Sequence, residues 1–375
     1  MINKQRLIKL AQQLIRINSE NPPGNERRIA GFVKDYLDNL GLKTRIFSLQ
    51  KKRSNLIAIL LGKKKKYSML ITPHLDTVPQ GRNWRFPPFA GKVFRGRLYG
   101  LGATDCKGNL AAGLEVIHSL VEDKCLLDYN LVFAATADEE SGSALGLIPI
   151  LKKNILRPDL AVVLDADDFN IVVAQKGLLH LKVAIKGKRA HGAYPWLGVN
   201  AIDIAVDILK ELKSYRFTYK KNKYLRPPTL NIGTIKGGDR VNVVADWCEF
   251  ELDLRFLPGM SAQALIKKLK EIILKYTSGF KIEIAGLQDH YSIGEEHPLV
   301  RNLMQAMRRV KAKPRICGSE GATVITFFQD KNIPAVATGF GSGGCAHSAN
   351  EYIKIKDLYK GALALEEFLK NYKFD

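Results

Sequence analysis

Between Asn25 and Leu40 the apolar residues Ile29, Phe32, Val33, Tyr36, Leu37 and Leu40 recur at three-and-four spacing, and Gly41 follows as a stop. This spacing predicts an amphipathic helix. Further along, the apolar stretches become short and continuous: SMLIT (68–72), LVFAATA (131–137) and LAVVL (160–164) read as buried strands, with NLAAGLEVIHSLVE (109–122) as a helix between them. Buried strands alternating with helices predict an α/β fold with a mostly parallel sheet flanked by helices.

After Lys176 the pattern changes. LLHLKVAIKG, TLNIGTIKGG, CEFELDLRFLP and FKIEIAGL alternate apolar and polar positions, and helical segments lie at 201–212 and over SAQALIKKLKEIILKY. That is an α+β unit whose antiparallel strands are wet on one face. From about His297 the first rhythm returns, with PAVATGFG as a strand and KIKDLYKGALALEEFLKNY as a closing helix. The pattern therefore predicts residues 1–176 and 289–375 as one unit and 177–288 as an insertion.

Composition adds limits. The chain has 375 residues and a net charge of +21, with visible basic runs at Lys51 to Arg53 and Lys63 to Lys66. The second run lies between LIAILL and SMLIT, where a hairpin turn would put it in solvent, and neither run is interleaved with aromatics. Both read as solvated surface, so nucleic acid is not the expected partner. The five cysteines, Cys106, Cys125, Cys248, Cys317 and Cys345, are scattered and never paired as CxxC, which points to a reducing, cytoplasmic setting. The N-terminal stretch does not read as a signal peptide, and no segment approaches a membrane span.

Candidate chemistry sits where ligands bind in open α/β sheets, at the carboxyl ends of strands. SMLIT runs into PHLD, so His74 and Asp76 leave the strand on one face, a histidine with a carboxylate placed to orient it. LVFAATA runs into Asp138, Glu139 and Glu140, three acids whose repulsion a cation would relieve; starting a helix is the alternative. LAVVL runs into DADD, where Asp165 comes first and is the preferred ligand, with Asp167 and Asp168 solvated. Asp105 lies in the glycine-rich YGLGATDCKGN and His347 in the small-residue CAHSANEY. Imidazole and carboxylate donors without thiolate suit zinc, manganese or cobalt.

The ordered motifs HLDTVP, RLYGLGATDCKGN, DEESGS, the acid after LAVVL and AHSANEY resemble the dinuclear zinc peptidases and deacylases, a family that includes acetylornithine deacetylase, succinyl-diaminopimelate desuccinylase, aminoacylase and the glutamate carboxypeptidases. INSENPPG near the start and GKRAHGAYPWLGVNAI in the insertion extend the resemblance over nearly the whole chain. It implies a zinc-exopeptidase type of fold with an inserted dimerisation, or lid, domain. It implies two divalent ions, zinc with cobalt or manganese as alternatives: His74 and Asp165 on one, Glu140 and His347 on the other, Asp105 bridging. Asp76 would orient His74, Glu139 would be the general base, and His191 would stabilise the oxyanion, in relatives across a homodimer interface. Asn242 and Arg255 fall where relatives contact substrate. The chain departs from the family at CGSEGATVITFF, where Glu320 takes the place of an aspartate and no arginine follows. Asp165 stands where many deacylase relatives carry glutamate.

The expected activity is removal of an acyl group from an N-acyl amino acid, with a metallo-exopeptidase acting on small peptides as the alternative. A non-catalytic binding protein on the same scaffold, suggested by the charge, is the distant third, since the unliganded acid Glu139 would then have no reason to persist. His118, His180, His290 and His297 have no motif around them and are expected to be structural or exposed.

Overall fold

Four of the apolar runs lie side by side and point the same way. In the computed structural model, which describes residues 1–64, 66–321 and 323–374, strands Asn130–Ala135, Ser68–Thr72, Leu160–Val163 and Ala335–Thr338 form the parallel centre of one sheet. Antiparallel strands flank it, Lys43–Gln50 and Arg53–Leu60 on one side and Asn170–Gln175 on the other. Met69, Leu70, Ile71, Ala161 and Val162 are fully buried, as strands covered by helices on both faces require. Helix Lys107–Glu122 is buried on nearly every side, packing between helices Lys4–Arg16 and Ile355–Asn371. Gly113 brings it down onto the sheet: a Cβ there would come within 3.2 Å of the Phe133 ring.

One expected pairing is not made. Arg53–Leu60 and Ser68–Thr72 do not form a hairpin, because Asn130–Ala135 lies between them, antiparallel to the first and parallel to the second. The connecting lysines Lys63, Lys64 and Lys66 are nevertheless exposed, and Lys65 lies outside the described residues. The other basic run also needs correction, since Lys51 and Lys52 are exposed but Arg53 is 9% exposed and held between buried carboxylates.

The chain divides into two compact units, the first holding Met1–Val173, Ile293–Cys317 and the chain from Thr323, the second holding Ala174–Ser292 and the short segment starting at Gly318. That segment was expected in the first unit. It clusters with the second because the Glu320 carboxylate lies 2.6 Å from the buried Lys176 ammonium and accepts the Arg226 N–H at 2.9 Å. The remainder of CGSEGATVITFF includes Ala322, which lies outside the described residues.

The second unit is an antiparallel sheet in the order Thr229–Gly237, Trp247–Phe256, Gly177–Lys186, Phe280–Gln288. Its period-two pattern turns Leu179, Leu181, Val183 and Ile185 inward, together with Phe250, Leu252 and Leu254. Helices Ala201–Ser214 and Ala262–Leu274 cover that face, each started by a side chain that accepts an early N–H, Asn200 and Ser261. Among the described residues no helix is long and apolar enough to cross a membrane.

Candidate metal centre

In the first unit the carboxyl ends of the parallel strands converge. His74 follows strand Ser68–Thr72, and Glu139 and Glu140 open a short helical turn after strand Asn130–Ala135. Asp165 follows Leu160–Val163, and His347 lies in the loop after Ala335–Thr338. Asp105 closes the turn ahead of helix Lys107–Glu122. These side chains form two triads, His74 with Asp105 and Asp165, and Asp105 with Glu140 and His347, and within each the candidate ligand atoms all lie within 4.8 Å of one another.

Asp105 belongs to both. Its Oδ1 is 2.8 Å from His74 Nε2 and its Oδ2 is 3.1 Å from His347 Nε2. Asp165 Oδ1 is 3.7 Å from His74 Nε2, and Glu140 Oε2 is 3.1 Å from His347 Nε2. Each imidazole thus faces one oxygen of a shared carboxylate and one oxygen of its own.

The supports behind these groups are specific. His74 is buried, and its Nδ1 lies 3.0 Å from the backbone oxygen of Asp76, nearer than the Asp76 carboxylate at 3.6 Å. Donation from Nδ1 to that carbonyl leaves Nε2 as the nitrogen that could coordinate an ion. The Asp76 carboxylate, expected to orient His74, does something more: it accepts the N–H groups of Glu139 at 3.1 Å and Glu140 at 3.2 Å, fixing the turn that carries both acids. Asp105 is held from behind by Glu351, whose buried carboxylate accepts the N–H groups of Gly102, Thr104 and Asp105 at 2.7 to 2.9 Å. Asn109 joins the loop after Asp165 to the loop after strand Ala335–Thr338, donating to Ala166 O and accepting Phe340 N–H. Gly339 is needed there, because a Cβ would sit 1.9 Å from Ala166 O.

The electrostatics describe a site rich in negative charge. Burial pushes the Glu139 carboxyl well above its usual range, reinforced by the charges of Asp165, Glu140 and Asp105 and opposed by His74. Glu140 is raised by burial against its bond to His347. Asp105 is lowered, since its bonds to His347 and His74 outweigh burial. His347 is raised to about 10 by Asp105 and Glu140. His74 is raised well above 6.5 by Cys106, Asp105, Asp165 and Asp76, although burial alone would lower it. Glu140 Oε1 is buried without a hydrogen-bond partner. An orphaned carboxylate oxygen and two imidazoles holding protons among acids are what a pair of divalent cations would satisfy, and the oxygen and nitrogen donors suit zinc, cobalt or manganese.

The remaining candidates lie in the second unit. His191 is exposed, and its Nδ1 accepts the Ala193 N–H at 3.0 Å, which in the neutral ring puts the proton on Nε2 as an outward donor. Asn242 is its neighbour: the Asn242 carbonyl accepts the Gly192 N–H at 2.8 Å, and a Cβ on Gly192 would meet the Asn242 backbone at 2.9 Å. The Arg255 guanidinium is already engaged by both oxygens of Asp253, at 2.8 and 3.2 Å. Of the unassigned histidines, His118 bonds Tyr36, His297 caps helix Pro298–Arg309, His290 accepts the Gly259 N–H, and His180 lies near Asp253.

Glu26, Asn21 and Glu351 do not stand out as site residues in the sequence, and Arg53 stands there only as the end of a basic run. The signals for Asn21 and Glu351 were their places inside the INSENPPG and AHSANEY motifs.

A family model described as peptidase family M20/M25/M40 matches residues 70–371, a span containing both triads and Glu139. The chain is 30% identical to an acetylornithine deacetylase of Vibrio cholerae, covering 94% of this chain and 93% of that protein. It is 26% identical to a succinyl-diaminopimelate desuccinylase of Orientia tsutsugamushi, over 100% and 99% of the two chains. Among solved structures, a tripeptidase of Staphylococcus aureus matches with a TM-score of 0.82 at 25% identity, over 99% and 98% of the chains. A metallo-carboxypeptidase of Sulfolobus solfataricus has the same fold, with a TM-score of 0.79 at 22% identity, over 97% and 98%.

Proposed function

Because this chain belongs to the peptidase family M20/M25/M40, we propose that it is a two-metal amide hydrolase that removes the acyl group from an N-acyl amino acid. The observation that carries the reading is Asp105, whose two oxygens each face a different imidazole while Glu139 stays outside both triads. His74 and Asp165 would hold one ion, Glu140 and His347 the other, and Asp105 both, with zinc the ion the donor set suits best. When bound, such ions polarise the scissile carbonyl and lower the pKa of the attacking water.

Glu139 takes a proton from that water as its oxygen bonds to the carbonyl carbon. It returns the proton to the nitrogen as the C–N bond breaks, and the second proton of the water passes to the amine as well, leaving a carboxylate and an ammonium. A carboxyl raised by burial and neighbouring acids is suited to both halves of this transfer. His191 donates its Nε2–H to the developing oxyanion, as the Nδ1 acceptor bond supports. In relatives this imidazole crosses a dimer interface, and a homodimer is part of the proposal. Asn242 beside His191 contacts the substrate. Arg255 grips a free carboxylate by exchanging it for Asp253.

Deacylation is favoured over peptide hydrolysis by the deacetylase and desuccinylase names of the full-length relatives. Exopeptidase action is the second reading, supported by the tripeptidase with the same fold. A cytoplasmic location is part of the proposal and rests on five free, unpaired cysteines.

Acetyl-, succinyl- and formyl-amino acids assayed beside dipeptides and tripeptides, with zinc, cobalt and manganese, separate the two readings; cleavage of peptides alone would replace the first with the second. Glu139→Ala is expected to keep about two ions per chain and lose about 10³- to 10⁴-fold in kcat. Loss of ions with turnover preserved would remove Glu139 from its role.

A further inference from the structure

Behind the turn carrying Glu139 and Glu140 lies a closed set of charged side chains that touches neither triad through a side chain of its own ligands. Arg53 donates from Nε and Nη2 to both oxygens of Glu26, at 2.8 to 3.1 Å, and from Nη2 to Asp138 Oδ1 at 2.7 Å. Glu26 is 0% exposed and Asp138 4%. Asn21 bridges onward, its Nδ2 lying 2.9 Å from Asp76 Oδ2 and 3.3 Å from Asp138 Oδ1. Gly24 lies flat against the guanidinium, since a Cβ there would be 2.4 Å from Arg53 Cζ. The motif INSENPPG thus wraps one arginine and one pair of acids.

Asp138 is the residue through which this set reaches the chemistry. It holds a left-handed backbone at φ 65, a conformation uncommon for non-glycine residues but open to aspartate. Its other carboxylate oxygen accepts the Leu145 N–H at 3.0 Å, and its carbonyl accepts the Ser143 N–H at 2.6 Å. The left-handed step aims the next two N–H groups at Asp76 and swings Glu139 and Glu140 toward the triads. Three carboxylates, Glu26, Asp138 and Asp76, are gathered here in the interior. Arg53 supplies the guanidinium that joins two of them, and unpaired buried charge would otherwise push the turn apart.

We propose that Arg53 is a positioning residue for Glu140 and Glu139, acting through Asp138 and, by way of Asn21, through Asp76. The inference rests on the assignment of Glu140 as a ligand and Glu139 as the base. The test uses cobalt(II), whose visible absorption reports the coordination around each ion, titrated into the full chain freed of metal.

Arg53→Met is expected to weaken the cobalt equivalent at the Glu140 and His347 triad, the second to fill, at least tenfold and shift its absorption band, leaving the first, at His74 and Asp165, within twofold of wild type. Arg53→Lys should recover part of both effects. A folded Arg53→Met protein that binds both equivalents within twofold, with an unchanged spectrum, would overturn the proposal. Should Arg53→Met not fold, Asn21→Ala decides: a threefold or larger weakening confined to the second equivalent supports the proposal, and wild-type behaviour overturns it. Glu140→Ala in the same titration isolates the underlying assignment, because retention of both equivalents there would refute the ligand set rather than the role of Arg53.

Discussion

His74 and His347 face opposite oxygens of one carboxylate, yet their settings differ in almost every respect. The His74 side chain is 1% exposed, follows directly from a central strand, and has its second nitrogen fixed on a backbone carbonyl. The His347 side chain is 53% exposed, and its backbone is left-handed at φ 58 in a loop. Asp165 extends a strand of the parallel core, whereas Glu140 sits on a turn held through Asp76. One triad is rooted in the sheet; the other is assembled from a turn and a loop. A preorganised triad loses less conformational freedom on binding, so the first is expected to be the tighter site and the second the exchangeable one.

Removing Asp105 breaks the comparison most severely, because it strips both triads at once. Asp105→Ala is expected to fall below half an ion per chain and to lose about 10⁴-fold or more in turnover, as loss of the whole metal contribution would. Retention of one tightly held ion, measured by elemental analysis, would show that the triads are independent.

Next in size is the contrast between the two imidazoles. His347→Ala is expected to keep one ion and weaken the other by about 100-fold, while His74→Ala weakens both, since His74 is the buried one of the two imidazoles that hold Asp105. Equal effects in a chelator competition would erase the distinction.

Acidity should act on the exposed triad. Without an ion His347 keeps its proton up to about 10, so an ion binding there must displace it, and affinity rises with pH by up to about tenfold per unit below that value. The sign is the reverse for the metal-free chain. A pKa raised above 6.5 gives stability that is complete below 6.5 and lost as pH climbs toward 10, so the melting temperature of the chelated protein should fall over that window. A flat or rising profile would contradict the pairing of His347 with Asp105 and Glu140.

The smallest effect concerns the support under Asp105. Glu351→Ala leaves three buried N–H groups without an acceptor and is expected to cost about 2 to 3 kcal/mol by denaturant unfolding. A cost below about 0.5 kcal/mol would mean the loop holds itself.

The legible parts of this molecule were those whose signal is local. SMLIT and LAVVL announce strands because each is apolar throughout, and His74 and Asp165 stand out because polar groups end those runs. The fold class and the alternating second unit follow from such contrasts, whereas the full ligand set, with Asp105, Glu140 and His347, is what the family resemblance implies. What stayed hidden depends on distant partners. Arg53 closes an exposed-looking basic run, and only residues 27 and 85 positions away bury it. The missing hairpin has the same origin: strand Asn130–Ala135 arrives from far along the chain and takes the place between two strands that are near neighbours in sequence. The placement of Glu320 with Lys176 likewise joins segments no periodicity connects.

The order of the ligands along the chain has a consequence for biosynthesis. Translation delivers His74, Asp105 and Asp165 well before His347, with the whole inserted unit emerging in between. A nascent chain would therefore carry the side chains of the rooted triad before either His347 or Glu351, whose carboxylate braces the Asp105 loop, so an ion captured at that stage would meet a site not yet braced.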